Sequence, residues 1–131
     1  MILLDTHVWV RWLAPENGAL PASLAQRLDA EADLAVSVVS CWEVAYLHRR
    51  GRLVLPLEFD EWLDAALGES GIVCVPLTSG MAVAAAQLSD VHRDPADRFI
   101  MATAIQLGIS LASLDAAFLN YPELGGLLVS G

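Results

Sequence analysis

The chain has 131 residues, 56% hydrophobic and 18% charged, which excludes a disordered polymer and supplies enough apolar side chain for a core. Its 16 acids and 7 basic residues give a formal charge of −9, which argues against gripping nucleic acid through a basic surface. There is no apolar run of the roughly 18 to 20 residues a membrane helix needs, no basic leader before the first apolar run, and no CxxC at Cys41 or Cys74; one cytoplasmic domain over residues 1–131 with reduced core thiols is expected.

Ile2-Leu3-Leu4 reads as a central strand buried on both faces and ending at Asp5. Residues 6–13 read as a helix, Pro15-Glu16-Asn17-Gly18 as a turn, and residues 21–32 as a second helix with Leu24 and Leu28 on one face. Residues 34–38 predict a second strand. Ser40 predicts the start of a helix that runs to about Arg50 and stops at Gly51. Residues 53–57 form an extended connection broken by Pro56, and residues 59–67 a helix. Residues 72–75 predict a third buried strand, residues 79–88 an Ala-rich helix, and residues 89–94 a polar loop. Pro95 opens a helix to Leu107, with Gly108 after it. Residues 109–112 predict a fourth strand, residues 115–119 a short helix, and residues 127–129 an edge strand. This alternation predicts an α/β fold with a mostly parallel sheet of four or five strands.

Ligands of such sheets bind beyond the carboxyl ends of the strands, and the acids fall there. Asp5 follows the first strand. Glu43 lies in Ser40-Cys41-Trp42-Glu43, which also reads as a capping box. Asp94 and Asp97 flank Pro95 at a helix start, and Asp115 follows the fourth strand. Each of these aspartates could be no more than a cap or a first-turn acid. Together Asp5, Glu43, Asp97 and Asp115 converge on one sheet edge, where like charges need a compensating cation. Oxygen donors favour Mg²⁺ or Mn²⁺. His7 and His92 have no partner at ligand spacing and are not assigned to the metal.

Basic residues cluster only at His48-Arg49-Arg50-Gly51-Arg52, where they can complement a helix C-terminus and stay solvated or meet phosphate; with Arg98 beside Asp97, the candidates for phosphate contact are Arg49, Arg50, Arg52 and Arg98. Trp9 with Trp12, and Trp42 with Tyr46, share helix faces; core packing is the default reading, and any that are exposed are candidate interface residues.

These motifs resemble the PIN domain, and within it the VapC-type toxin ribonucleases of bacterial toxin–antitoxin pairs. The resemblance rests on Leu4-Asp5-Thr6-His7, Ser40-Cys41-Trp42-Glu43-Val44, Arg50-Gly51-Arg52-Leu53, His92-Arg93-Asp94-Pro95-Ala96-Asp97-Arg98 and Ser113-Leu114-Asp115, in that order. It implies a three-layer α/β/α sandwich. It also implies an acidic quartet of Asp5, Glu43, Asp97 and Asp115, with Asp94, Thr6 and Ser113 accessory. The implied activity is an endoribonuclease holding one or two Mg²⁺ or Mn²⁺ ions and leaving a 5′-phosphate and a 3′-hydroxyl. A homodimer and a VapB-like antitoxin bound in an aromatic groove are also implied. At the last motif Ser113 replaces the family's usual Thr, and Leu114 stands where the family often has Arg. Two rivals are a non-catalytic module of the same fold and a phosphotransfer enzyme with Asp5 as nucleophile. The second is weakened by His7, where a second acid is wanted, and by the absence of any late Lys.

Overall fold

The computed structural model describes residues 1–91 and 94–130, in which five strands form one parallel sheet in the order β3-β2-β1-β4-β5. The strands are β1 Ile2–Leu4, β2 Leu34–Ser37, β3 Val73–Val75, β4 Ser110–Ala112 and β5 Leu128–Val129. The helices are α1 Thr6–Leu13, α2 Ala22–Ala30, α3 Val38–Arg49, α4 Phe59–Asp64, α5 Ser79–Gln87 and α6 Pro95–Leu107. β1 is central, with Leu4 level with Val36 of β2 and Ala112 of β4.

Alternation along the strands makes two cores. Ile2, Leu4, Leu34, Val36 and Ala112 face one side, where Val8 and Trp9 of α1, Leu24 and Leu28 of α2, and Trp62 of α4 cover them. Leu3, Ala35 and Leu111 face the other, against Ile100, Met101 and Ala104 of α6 and Phe118, Tyr121 and Leu124. This is the α/β/α sandwich. Each buried Leu or Ile contributes roughly 1.5–3 kcal/mol, so β1, buried at all three residues, ends at a firmly fixed point. The chain leaves β1 to build β2 and β3 on one side, then returns to build β4 and β5 on the other. That reversal opens a crevice at the carboxyl ends of β1 and β4.

Several elements depart from the sequence-based expectation. β3 is an edge strand with Val73 49% exposed, because an apolar run does not reveal how many neighbours a strand has. β2 ends at Ser37 and α3 begins at Val38, two residues ahead of the expected start at Ser40. α2 is confined to Ala22–Ala30, and α4 passes into a π-helical turn over Ala65–Glu69. The short helix after Asp115 is a 3₁₀ helix over Ala116–Asn120. Cys74 is exposed, not a core thiol, and its Sγ lies 3.9 Å from that of Cys41. His92 and Arg93, in the expected 89–94 loop, lie outside the described residues. No described helix is long and apolar enough to cross a membrane.

Candidate metal centre

Asp5 leaves β1 with its N–H donating to Ala112 O at 2.9 Å, so the ladder to β4 continues one step past the strand. The side chain is 2% exposed. Its Oδ1 accepts the Thr6 N–H at 2.9 Å, which caps α1. Its Oδ2 accepts the Ser113 hydroxyl at 2.7 Å and lies 3.3 Å from His7 Nδ1. The His7 Nε2 accepts the Leu114 N–H at 3.2 Å. An imidazole that accepts at Nε2 carries its proton on Nδ1, here facing Asp5. Burial, with Arg11 next, holds His7 below its ordinary pKa against the pull of Asp115, so the neutral ring is favoured. His7 is thus an orienting group with both nitrogens in use.

Glu43 arrives by a route the sequence reading misplaced. The Ser37 hydroxyl accepts the Val39 N–H and caps α3. The capping box from Ser40 to Glu43 therefore does not form, and Glu43 sits in the second turn. Two serines three apart can each cap, and local pattern does not choose between them. Ser40 is instead fully buried inside α3. Thr6 Oγ1 donates to Glu43 Oε1 at 2.5 Å and lies 2.9 Å from Ser40 Oγ. Thr6 thereby links the carboxylate of α3 to the end of β1.

α6 brings two acids. Asp94 caps it, its Oδ1 accepting the Ala96 N–H at 3.0 Å, and Asp97 lies in the first turn. Both suit the positive end of the helix. Glu43, Asp94 and Asp97 each offer a carboxylate oxygen within 4.8 Å of the others. Asp5, Glu43 and Asp97 line one cavity of about 240 Å³. Asp115 follows β4. It caps the 3₁₀ helix through the Ala117 N–H at 2.9 Å, its own N–H donates to Ser113 Oγ, and it does not line the cavity.

The carboxylates are strained electrostatically. Burial pushes Asp5 up to about 6; the Ser113 and Thr6 hydrogen bonds oppose this, and Asp115 and Asp94 add to it. Burial pushes Glu43 up to about 7, opposed by Thr6 and reinforced by Asp97, Asp5 and Asp94. Among the described residues no Lys or Arg forms an ion pair with Asp5 or Glu43. Oxygen-only donors, crowded together and with no Lys or Arg paired to Asp5 or Glu43 among the described residues, fit a hard divalent cation.

The remaining candidates separate. Arg98 donates to the carbonyls of Ala85, Leu88 and Ser89, closing the carboxyl end of α5. Arg50 lies over the Tyr46 ring at 4.9 Å, and Arg49 is exposed. Arg52 lines the cavity. Trp9 is fully buried against Trp62, so the interface role expected for it is withdrawn: its position on α1 faces the sheet. Trp12 is half-buried, its indole N–H donating to Asp29. Trp42 and Tyr46 are 61% and 43% exposed and stack at 5.3 Å. Leu114 packs half-buried against the α1 side of the core. Sequence reasoning missed Ser40, His7 as an orienting group, and Arg11, which also lines the cavity. The i,i+4 spacing of His7 and Arg11 was the available signal.

An open parallel sheet with carboxylates gathered at its switch point defines a class of α/β proteins built to hold a divalent cation beside a ligand. The PIN domain family model matches residues 2–124, and the chain belongs to that family. It is 36% identical over 115 residues to Ribonuclease VapC22 of Mycobacterium tuberculosis (strain ATCC 25618 / H37Rv), covering 87% of this chain and 86% of the relative. Among solved structures it resembles VapBC2 from Rickettsia felis bound to a promoter DNA fragment, with a TM-score of 0.74, 19% identity and 98% of each chain covered. It also resembles FitAcB from Neisseria gonorrhoeae, with a TM-score of 0.59, 24% identity and 91% of each chain covered.

Proposed function

We propose that the protein is a metal-dependent endoribonuclease, the toxin of a toxin–antitoxin pair. The observation that carries the reading is the meeting of Asp5, Glu43 and Asp97 in one cavity, with the first two held above the ordinary carboxylate range. Membership of the PIN family and the likeness to a named ribonuclease over most of both chains support it.

Asp5, Glu43, Asp97 and Asp115, with Asp94 beside them, would hold one or two Mg²⁺ or Mn²⁺ ions, directly or through waters. When bound, the cation neutralises phosphate charge and lowers the pKa of a water. The chain's own part is placement. Ser113 and His7 hold Asp5, and Thr6 holds Glu43, so that the carboxylates need little rearrangement. A carboxylate oxygen not engaged by these donors takes the proton of the attacking water. Water adds at phosphorus as the bond to the 3′-oxygen breaks, and that oxygen takes a proton from solvent water, leaving a 5′-phosphate and a 3′-hydroxyl.

We place the antitoxin on the exposed aromatic face. Trp42 forms an apolar cleft with Val39, Pro95, Ala96 and Phe99, directly beside Glu43 and Asp94. An antitoxin segment lying there can put an Arg among the acids and block cation binding. The site works in the cytoplasm, on RNA whose unpaired bases leave the backbone accessible.

The test is cleavage of a panel of structured RNAs by antitoxin-free protein in Mg²⁺, Mn²⁺ or EDTA, with Asp97→Asn in parallel. Cleavage that needs metal and falls at least 100-fold in the variant supports the reading. Cleavage that survives either EDTA or Asp97→Asn contradicts it.

A further inference from the structure

The cavity that gathers the acids has a second wall of opposite charge. Arg11, in the last turn of α1, and Arg52, just beyond α3, both line it. Neither guanidinium has a hydrogen-bond or ion-pair partner among the described residues, in a chain with 16 acids. Arg11 is half-buried and Arg52 is exposed.

The wall is built. Asn17 pairs with both backbone groups of Val54: its Oδ1 accepts the Val54 N–H at 2.8 Å and its Nδ2 donates to the Val54 carbonyl at 2.7 Å. This ties the 3₁₀ turn Pro15–Asn17, which follows α1, to the extended segment that carries Arg52. Gly18, at φ +125°, leaves room for Arg11: a Cβ there would stand 3.1 Å from its Nε. Two guanidiniums that line one pocket and have no partner among the described residues gain most from a shared anion.

We propose that Arg11 and Arg52 form a phosphate subsite that holds the strand phosphate next to the scissile one. This rests on the ribonuclease reading and deepens it. Among the sequence's basic candidates it singles out Arg52, and it adds Arg11. The same cavity then has two jobs: the carboxylate wall takes the cation and the scissile phosphate, and the arginine wall fixes the register of the strand.

The test uses two small probes, uridine 5′-monophosphate and uridine 3′,5′-bisphosphate, titrated calorimetrically with Mn²⁺ present and absent. The bisphosphate is expected to bind at least tenfold tighter than the monophosphate, as charge-assisted hydrogen bonds to a second phosphate require. Arg52→Gln and Arg11→Gln should each shrink that preference, and the double variant should abolish it. Arg27→Gln, exposed on α2 and outside the cavity, should leave it intact. Arg52 is exposed, so its variant tests the subsite even if Arg11→Gln melts early. Equal binding of the two probes by the wild type, or a preference that survives both substitutions, overturns the subsite. Probe binding indifferent to Mn²⁺ would instead count against the metal-site reading.

Discussion

At the residue scale, Asp5 concentrates the conflict between stability and function. Its carboxyl is held at about 6, chiefly by burial. Between the ordinary carboxylate range and about 6, the folded state keeps a proton that the unfolded chain has released. Metal-free stability should therefore fall as pH rises from about 4 to 6 and level off above, by about 3 kcal/mol from this group. Glu43 acts in the same direction up to about 7, discounted because it is partly exposed. Thermal melts in EDTA from pH 4.5 to 7.5 should show this slope, and Asp5→Asn should flatten it; an equal slope in the variant would contradict the account. Mn²⁺ binds the ionised form, so it should raise the melting temperature more at pH 7.5 than at pH 5. His7 offers a second test at this scale. Its Nδ1 faces Asp5 and its Nε2 accepts from Leu114. His7→Ala should weaken Mn²⁺ binding, read by electron paramagnetic resonance, by about tenfold or more. His7→Asn, which keeps a donor near the Nδ1 position, should recover much of the loss. Equal loss in both would mean that the ring acts by bulk alone.

At the scale of elements, the central strand and its acid were legible because three consecutive apolar residues followed by Asp admit few readings. The bounds of α6 were legible because Asp94, Pro95 and Gly108 mark both ends, Gly108 at φ +65°. The start of α3 was not. Ser37 and Ser40 are equally good caps by type, and the choice falls to Ser37 because β2 ends there, while Ser40 is buried inside the helix. Swapping the two assignments is measurable. Ser37→Ala should lower stability by about 1 kcal/mol through loss of the cap, with Mn²⁺ affinity little changed. Ser40→Ala leaves the cap in place but removes an oxygen 2.9 Å from Thr6 Oγ1, so it should disturb the Thr6–Glu43 bond and Mn²⁺ affinity together. The opposite pattern would restore the capping box.

At the scale of the whole molecule, the formal charge of −9 misleads about partners because it averages over the surface. The acids proposed to hold the cation gather at one end of one sheet, and two arginines with no side-chain partner among the described residues line the same cavity. Composition reports neither. The convergence of Asp5, Glu43 and Asp97 could be foreseen from the βα rhythm, which sends every strand end to the same edge. The grouping of Asp94 with Glu43 and Asp97 depends on how α6 docks against α3, and that is a tertiary matter. The burial of Trp9 beside the exposure of Trp42 is equally so, since both helices carry aromatic pairs at helical spacing. The most direct test of the central claim is a Mn²⁺-soaked crystal read by anomalous scattering. A peak bound by the carboxylates of Glu43 and Asp97 beside Asp5 is expected, lost in Asp97→Asn. Peaks confined to surface acids elsewhere, with none at this cavity, would contradict it.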